Sequence, residues 1–109
     1  MTHRKFKTGA VRDDASSKPN LLDYFDPLVL WRFAKYMKKA EVKYGKGNWK
    51  KGIPKEEYLQ SAMRHMVKLW VQHEYLVLPE ELRDEMEGDD DHASAMLFNI
   101  MGYMREEHG

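Results

Sequence analysis

Apolar residues return every three or four positions along most of this chain and alternate almost nowhere. Leu30, Phe33, Ala34, Met37, Ala40 and Tyr44 form one stripe at helical spacing. Asp26 is suited to cap that helix, Pro27 to open it, and Gly45 to stop it. A second helix is predicted from Pro54, with Glu56 and Glu57 placed for its first-turn dipole and with Tyr58, Ala62, Met66, Leu69 and Leu76 on its apolar face. Pro79 breaks that helix and starts a short acidic one, "PEELRDEME", with Leu82 and Met86 facing one way. Gly88 and three aspartates follow, and the aspartates favour the start of a last helix over roughly 92–106. Ahead of all this, "GAVRDDASSKPN" is polar and irregular, so residues 1–20 read as an extended arm. The expectation is an all-α chain, three main helices and one short one, in a single helical domain over 21–109.

The last helix changes that picture. Met96, Leu97, Phe98, Ile100, Met101, Tyr103 and Met104 run all round it, and a helix apolar on every side is a buried one. Two other long helices hardly cover it. Either a second copy completes the bundle, giving a homodimer or higher homo-oligomer, or the arm and the short helix fold over it.

A chain of 109 residues makes one domain with a modest core. Lys plus Arg and Asp plus Glu both total 18, so no global field favours a nucleic-acid polymer or an acidic membrane. The charge is nevertheless segregated, basic over 35–55 and acidic over 80–91. The acidic run reads either as a solvated segment or as a metal cage. With no cysteine, disulfides and thiolate metal sites are excluded. No apolar run is long enough to span a bilayer, and "MTHRKFKTGAVRDD" has no signal-peptide core. A cytoplasmic location is expected.

Each long helix carries polar residues where a core wants apolar ones. Glu41 lies mid-stripe on the first, His73 within and His65 at the edge of the apolar face of the second, and His92 and Asn99 in one row with Met96 and Tyr103 on the last. Glu41 either meets a cation, a metal or a pocket, or is solvated where the helix frays before Gly45. Inward polar groups from several helices are how bundles build ligand and metal sites. No ExxE, HExxH or His-Asp doublet is present, so no standard metal motif stands out. Beside Glu41 the stretch "AEVKYGKGNWKKG" offers glycines that let backbone N–H groups reach an anion, lysines for phosphate, and Tyr44 or Trp49 to stack on a base. Without a Walker or GxGxxG pattern it reads equally as a solvated turn.

Taken together, "GAVRDD…KP…DY", "AEVKYGKGNW", "SAMRHMVKLW" and "DHASAMLFN" resemble the dATP/dGTP diphosphohydrolase-like family of small phage and bacterial proteins. The resemblance runs from about Thr8 to Tyr103 and is carried chiefly by the K-Y-G-x-x-N-W turn and the Arg64-His65 pair, with His92 and Asn99 as H-x-x-x-x-x-x-N. Its acidic connection differs: here it reads "HEYLVLPEELRDEMEGDDDH", so Glu74 and Asp90 or Asp91 stand for the family's acids.

The resemblance implies a purine deoxynucleoside triphosphate cleaved to monophosphate and pyrophosphate, with Mg²⁺ or Mn²⁺ held by Glu41, Glu74 and Asp91, as in MazG-like all-α pyrophosphatases. It implies a catalytic set of Glu41, His65, His92 and Asn99. Arg64 would neutralise phosphate charge beside His65, Lys18, Lys43 and Asn48 would position the triphosphate, and Trp49 with Tyr44 the base. If phage-encoded, the protein would act in the bacterial host's cytoplasm. The alternatives are a nucleotide-binding oligomer without turnover, a sponge, and a purely structural oligomer.

Overall fold

The computed structural model describes residues 3–14, 16–86 and 90–108. Residues 87–89, which include Gly88 and Asp89, and the side chains of 84–86, which include the expected facing of Met86, lie outside the described residues. The described chain is mostly helical: α1 (Leu21–Tyr24), α2 (Pro27–Tyr44), α3 (Lys55–Glu74), α4 (Glu80–Met86) and α5 (His92–Glu107). Among the described residues, no helix is long and apolar enough to cross a membrane.

The helix boundaries follow local chemistry. Asp26 caps α2, its carboxylate accepting from the Leu28 and Val29 N–H groups, and Pro27 supplies the first turn. Gly45 ends α2 at φ 91°, a left-handed backbone that a side chain would strain. Asp91 caps α5 by accepting from the Ser94 N–H. The second helix stops at Glu74, sooner than its apolar pattern suggests. Tyr75 is already extended, at φ −114° and ψ 119°. The run from Tyr75 to Leu78 leads into Pro79, which disfavours helix in the residue before it.

The arm is not simply extended. β1 (His3–Lys5) and β2 (Val11–Asp13) pair antiparallel, with Arg4 opposite Arg12, around a turn in which Gly9 takes φ 90°. Three-residue strands are too short to show as alternation, so their pattern was invisible in the sequence. Two further short elements were equally invisible: α1, capped by Asn20, and a 3₁₀ turn over Asn48–Lys51.

α3 and α5 pack antiparallel and hold the core. His65 meets His92 near one end, Tyr58 meets Phe98 further along, and the Ile53 N–H donates to Glu106 Oε1 at the other end. Tyr58, Ala62 and Ala95 are buried there, with His92, Ser94, Asn99 and Gly102. The close approach depends on Gly102, because a Cβ at that position would run into the Tyr58 ring. α2 runs alongside α5 in the same direction, tied at Arg32 to Asp91 and reaching Phe98 and Met101 with its C-terminal half. α1 and the start of α2 ahead of Arg32 are exposed, at Leu22, Leu28 and Trp31. The chain is consequently elongated: its radius of gyration is 19.8 Å, against about 13 Å for a globule of 100 residues.

Candidate functional site

A concavity lies where α2, α5 and the Gly45–Gly52 turn converge. It is an open groove of about 610 Å³. Its floor is apolar and aromatic, with Phe33, Met37, Tyr44, Trp49, Phe98 and Met101. Its rim is basic, with Lys38, Lys46 and Lys50. Glu41 is the carboxylate on its wall, about a third exposed, with Lys38 Nζ 3.3 Å from Oε2. The helix therefore does not fray before Gly45. Glu41 stays on the stripe, at the place where the stripe opens into a groove.

The turn is held firmly for so short a segment. Gly45 and Gly47 both take positive φ, 91° and 70°, letting the chain reverse out of α2 and enter the 3₁₀ turn. The Trp49 ring stands edge-on to Phe98 at 6.1 Å, and Phe98 edge-on to Tyr58 at 5.8 Å. The Tyr58 hydroxyl donates to the Trp49 carbonyl at 3.4 Å. Two cations lie over the Trp49 ring, Arg105 at 5.3 Å and Lys50 at 5.7 Å from its centroid. Lys43 lies over Tyr44 in the same way, at 5.1 Å. Aromatic rings below several lysines suit a ligand with a π-face and phosphate charge.

A second polar cluster gathers at the start of α5. Asp91 accepts from Arg32 on both oxygens, at 2.6 and 2.7 Å, and from the Ser94 N–H and hydroxyl at 3.1 and 2.6 Å. The Arg32 bond, aided by those from Ser94 and opposed by burial, holds the Asp91 carboxyl well below the usual carboxylate range. Beside it, His65 Nδ1 and His92 Nδ1 lie 2.9 Å apart, so one ring donates to the other. Burial first, then His92 and Lys68, push His65 below its ordinary value, while Asp90 pulls the other way. Burial, then Asp90 and Asp91, raise the Tyr36 hydroxyl between this cluster and the groove.

The residues singled out in the sequence thus fall into separate places. Glu41, Tyr44, Asn48 and Trp49 share the groove, with Lys43 beside it. His65, His92 and Asp91 share the cluster, whose centre lies six residues, or roughly 9 Å, from Phe98 along α5. Asn99 is buried in the α3–α5 seam and donates back to the Ala95 carbonyl. Arg64 and His73 are exposed on α3, Lys18 is exposed in the arm, and Glu74 is exposed at the far end of α3.

A divalent ion needs several hard oxygen ligands at one point. Glu41 lies nine residues along α2 from Arg32, and Glu74 nine along the antiparallel α3 from His65, so the two diverge from the Asp91 level by roughly 13 Å each in opposite directions. Among the described residues, no three His, Asp or Glu side chains converge to hold a metal. Glu41, Glu74 and Asp91 of one chain therefore do not fit a single ion.

Reasoning from sequence missed Arg32, Lys38, Phe98 and Gly102. A partner 59 residues away leaves no local trace at Arg32. Gly102 did carry a signal, since a mid-helix glycine costs about 1 kcal/mol and is retained for close packing.

The fold and site define a small helical domain with an aromatic, lysine-rimmed groove at a helix–turn–helix corner. A family model described as dATP/dGTP diphosphohydrolase, N-terminal, matches residues 7–108, and the chain belongs to that family. No curated protein and no solved structure matches it.

Proposed function

We propose that the α2–α5 groove binds dATP or dGTP and that the chain hydrolyses the bound nucleotide to monophosphate and pyrophosphate. The observation that carries the binding is the groove itself: Trp49, Tyr44 and Phe98 around a cavity rimmed by Lys38, Lys46 and Lys50 and walled by Glu41. The reaction is supported by the family to which the chain belongs. The purine stacks at Trp49 and the triphosphate lies along the lysines. Water attacks the α-phosphorus, the α–β bridging P–O bond breaks, and pyrophosphate leaves. Glu41 takes the proton of that water, a step that requires it to let go of Lys38, which turns to the phosphates. His65 and His92 tie α3 to α5, Asn99 is buried in the seam between them, and Phe98 is thereby held in the floor.

One observation favours a second reading, a module that binds the nucleotide without cleaving it. Among the described residues, no three carboxylates or imidazoles meet at one point. A single experiment separates the two. The protein is incubated with each of the four deoxynucleoside triphosphates and Mg²⁺ or Mn²⁺, and products and bound nucleotide are read together. Monophosphate and pyrophosphate from the purine nucleotides alone support hydrolysis. Purine nucleotide bound but intact supports the second reading. Neither binding nor product contradicts both.

A further inference from the structure

We infer that the N-terminal hairpin carries a phosphate-binding site built from Arg4, Arg12 and Lys18. β1 and β2 pair with Arg4 directly opposite Arg12, so the two side chains share one face of the ladder. Like charges directly opposite each other destabilise a strand pair. A two-stranded hairpin is marginal in water to begin with, and every residue of these two strands is exposed. The register therefore sets two guanidinium groups side by side at a cost that no burial offsets. An anion held between them removes that cost.

The neighbouring carboxylates are turned to other partners. Asp13 lies on the opposite face, where its Oδ1 meets His3 Nδ1 at 3.2 Å. The Asp14 carboxylate accepts from the Ser16 N–H and hydroxyl, at 3.0 and 3.1 Å. Among the described residues, no carboxylate forms an ion pair with Arg4, Arg12 or Lys18. Lys18 joins the two arginines along one open concavity of about 530 Å³. Arg4 is already placed for a ligand. Its Nε donates to the Asp13 carbonyl at 3.0 Å, and its guanidinium lies 5.4 Å from the centroid of the Phe6 ring, which keeps the Nη groups on that face.

The charge of the site selects the ligand. Two guanidinium forks and an ammonium group exceed what one carboxylate satisfies, whereas a phosphate group brings up to about two charges and three acceptor oxygens. A free phosphate chain, as in pyrophosphate or a nucleotide, and the backbone of a nucleic-acid strand both present this chemistry. The site is separate from the α2–α5 groove, since the two concavities share no residue. Lys18, which the resemblance implies positions the triphosphate, lines this concavity and not the groove. β1 also lies ahead of residue 7, where the family match begins, so Arg4 is outside the matched region.

The test reads the hairpin itself, so its outcome does not depend on what the groove binds. The full chain, isotope-labelled, is titrated with inorganic pyrophosphate and separately with a short oligothymidylate lacking terminal phosphates. The Nε–H signals of Arg4 and Arg12 are expected to move in a saturable way, while that of Arg32, bonded to Asp91, stays in place. Movement at the lower concentration with pyrophosphate assigns a free phosphate chain, and with the oligothymidylate a nucleic-acid strand. Movement with neither at millimolar probe overturns the inference. Arg12→Gln is expected to weaken binding by about tenfold, the worth of one charge-assisted hydrogen bond. The same variant separates a site from a merely structural arginine. The Phe6 N–H donates to the Ala10 carbonyl at 2.9 Å, so its exchange with solvent reports closure of the hairpin. Without phosphate, Arg12→Gln is expected to slow that exchange by relieving the like-charge pair. Pyrophosphate is expected to slow it in the wild type and not in the variant. Faster exchange in the phosphate-free variant, or undiminished affinity for both probes, overturns the inference.

Discussion

Arg32 and Asp91 form a two-pronged ion pair, Nε to Oδ2 at 2.7 Å and Nη2 to Oδ1 at 2.6 Å. It joins the second turn of α2 to the residue just before α5, and the same carboxylate caps α5 through Ser94. Two replacements divide these duties. Asp91→Asn keeps a capping oxygen and loses the pair, whereas Asp91→Ala loses both. Loss of the cap costs about 1–2 kcal/mol. Urea melts should therefore rank wild type above Asp91→Asn and Asp91→Ala last. The folded carboxyl titrates lower than the unfolded one, so this stabilisation is complete above the unfolded value and disappears as acid reaches the folded one. Asp91→Asn should accordingly flatten acid unfolding below about pH 4.

His65 titrates in a different window. His65 is held below its ordinary value of 6.5, so the unfolded chain binds its proton more readily than the folded one. Stability from this site is full above pH 6.5 and falls as pH drops through the folded value. The facing groups are His92 on α5, Asp90 just before it, and Lys68 and Arg64 on α3. Thermal melts between pH 7.5 and 5 should show a falling midpoint for the wild type and a shallower fall for His65→Gln. Parallel slopes for the two would remove His65 from the account.

Gly102 admits the Tyr58 ring against the α5 backbone. Gly102→Ala gains helix propensity of about 1 kcal/mol but drives a methyl group into an aromatic ring that is buried on all sides. Overpacking of this kind costs about 1–3 kcal/mol, so the net effect should be a loss of stability despite the better helix former. Chemical denaturation of the variant decides the sign.

Local chemistry made much of the fold legible. Asp26, Pro27 and Gly45 marked both ends of α2, and the helical stripe identified each long helix. The family was legible too, from the Lys43–Trp49 turn and the Arg64-His65 pair that carry the resemblance. What the sequence could not convey was which polar residues meet. His65 and His92 are 27 positions apart and Arg32 and Asp91 are 59 apart, and only packing brings each pair together. His73 shows the converse. The helical wheel places it on an apolar face, but that end of α3 extends past the start of α5 and the residue is exposed.

In the proposed binding mode the purine stacks at Trp49, whose ring has Arg105 and Lys50 over it. Trp49→Ala should weaken purine nucleotide binding by about 1–3 kcal/mol, the range for loss of one base–aromatic stack. Calorimetric titration gives the affinity. A melt of the same sample separates this from simple unfolding, because Trp49 also packs on Phe98.

The three tryptophans make the location of the site directly observable. Trp49 lies in the groove, Trp31 is exposed near the start of α2, and Trp70 is exposed on α3. Each contributes one indole N–H signal, assignable from single Trp→Phe variants. On titration with dGTP or dATP, the Trp49 signal is predicted to move in a saturable way while those of Trp31 and Trp70 stay in place. A saturable shift at Trp31 or Trp70 with Trp49 unmoved would place the nucleotide elsewhere and contradict the assignment of the groove.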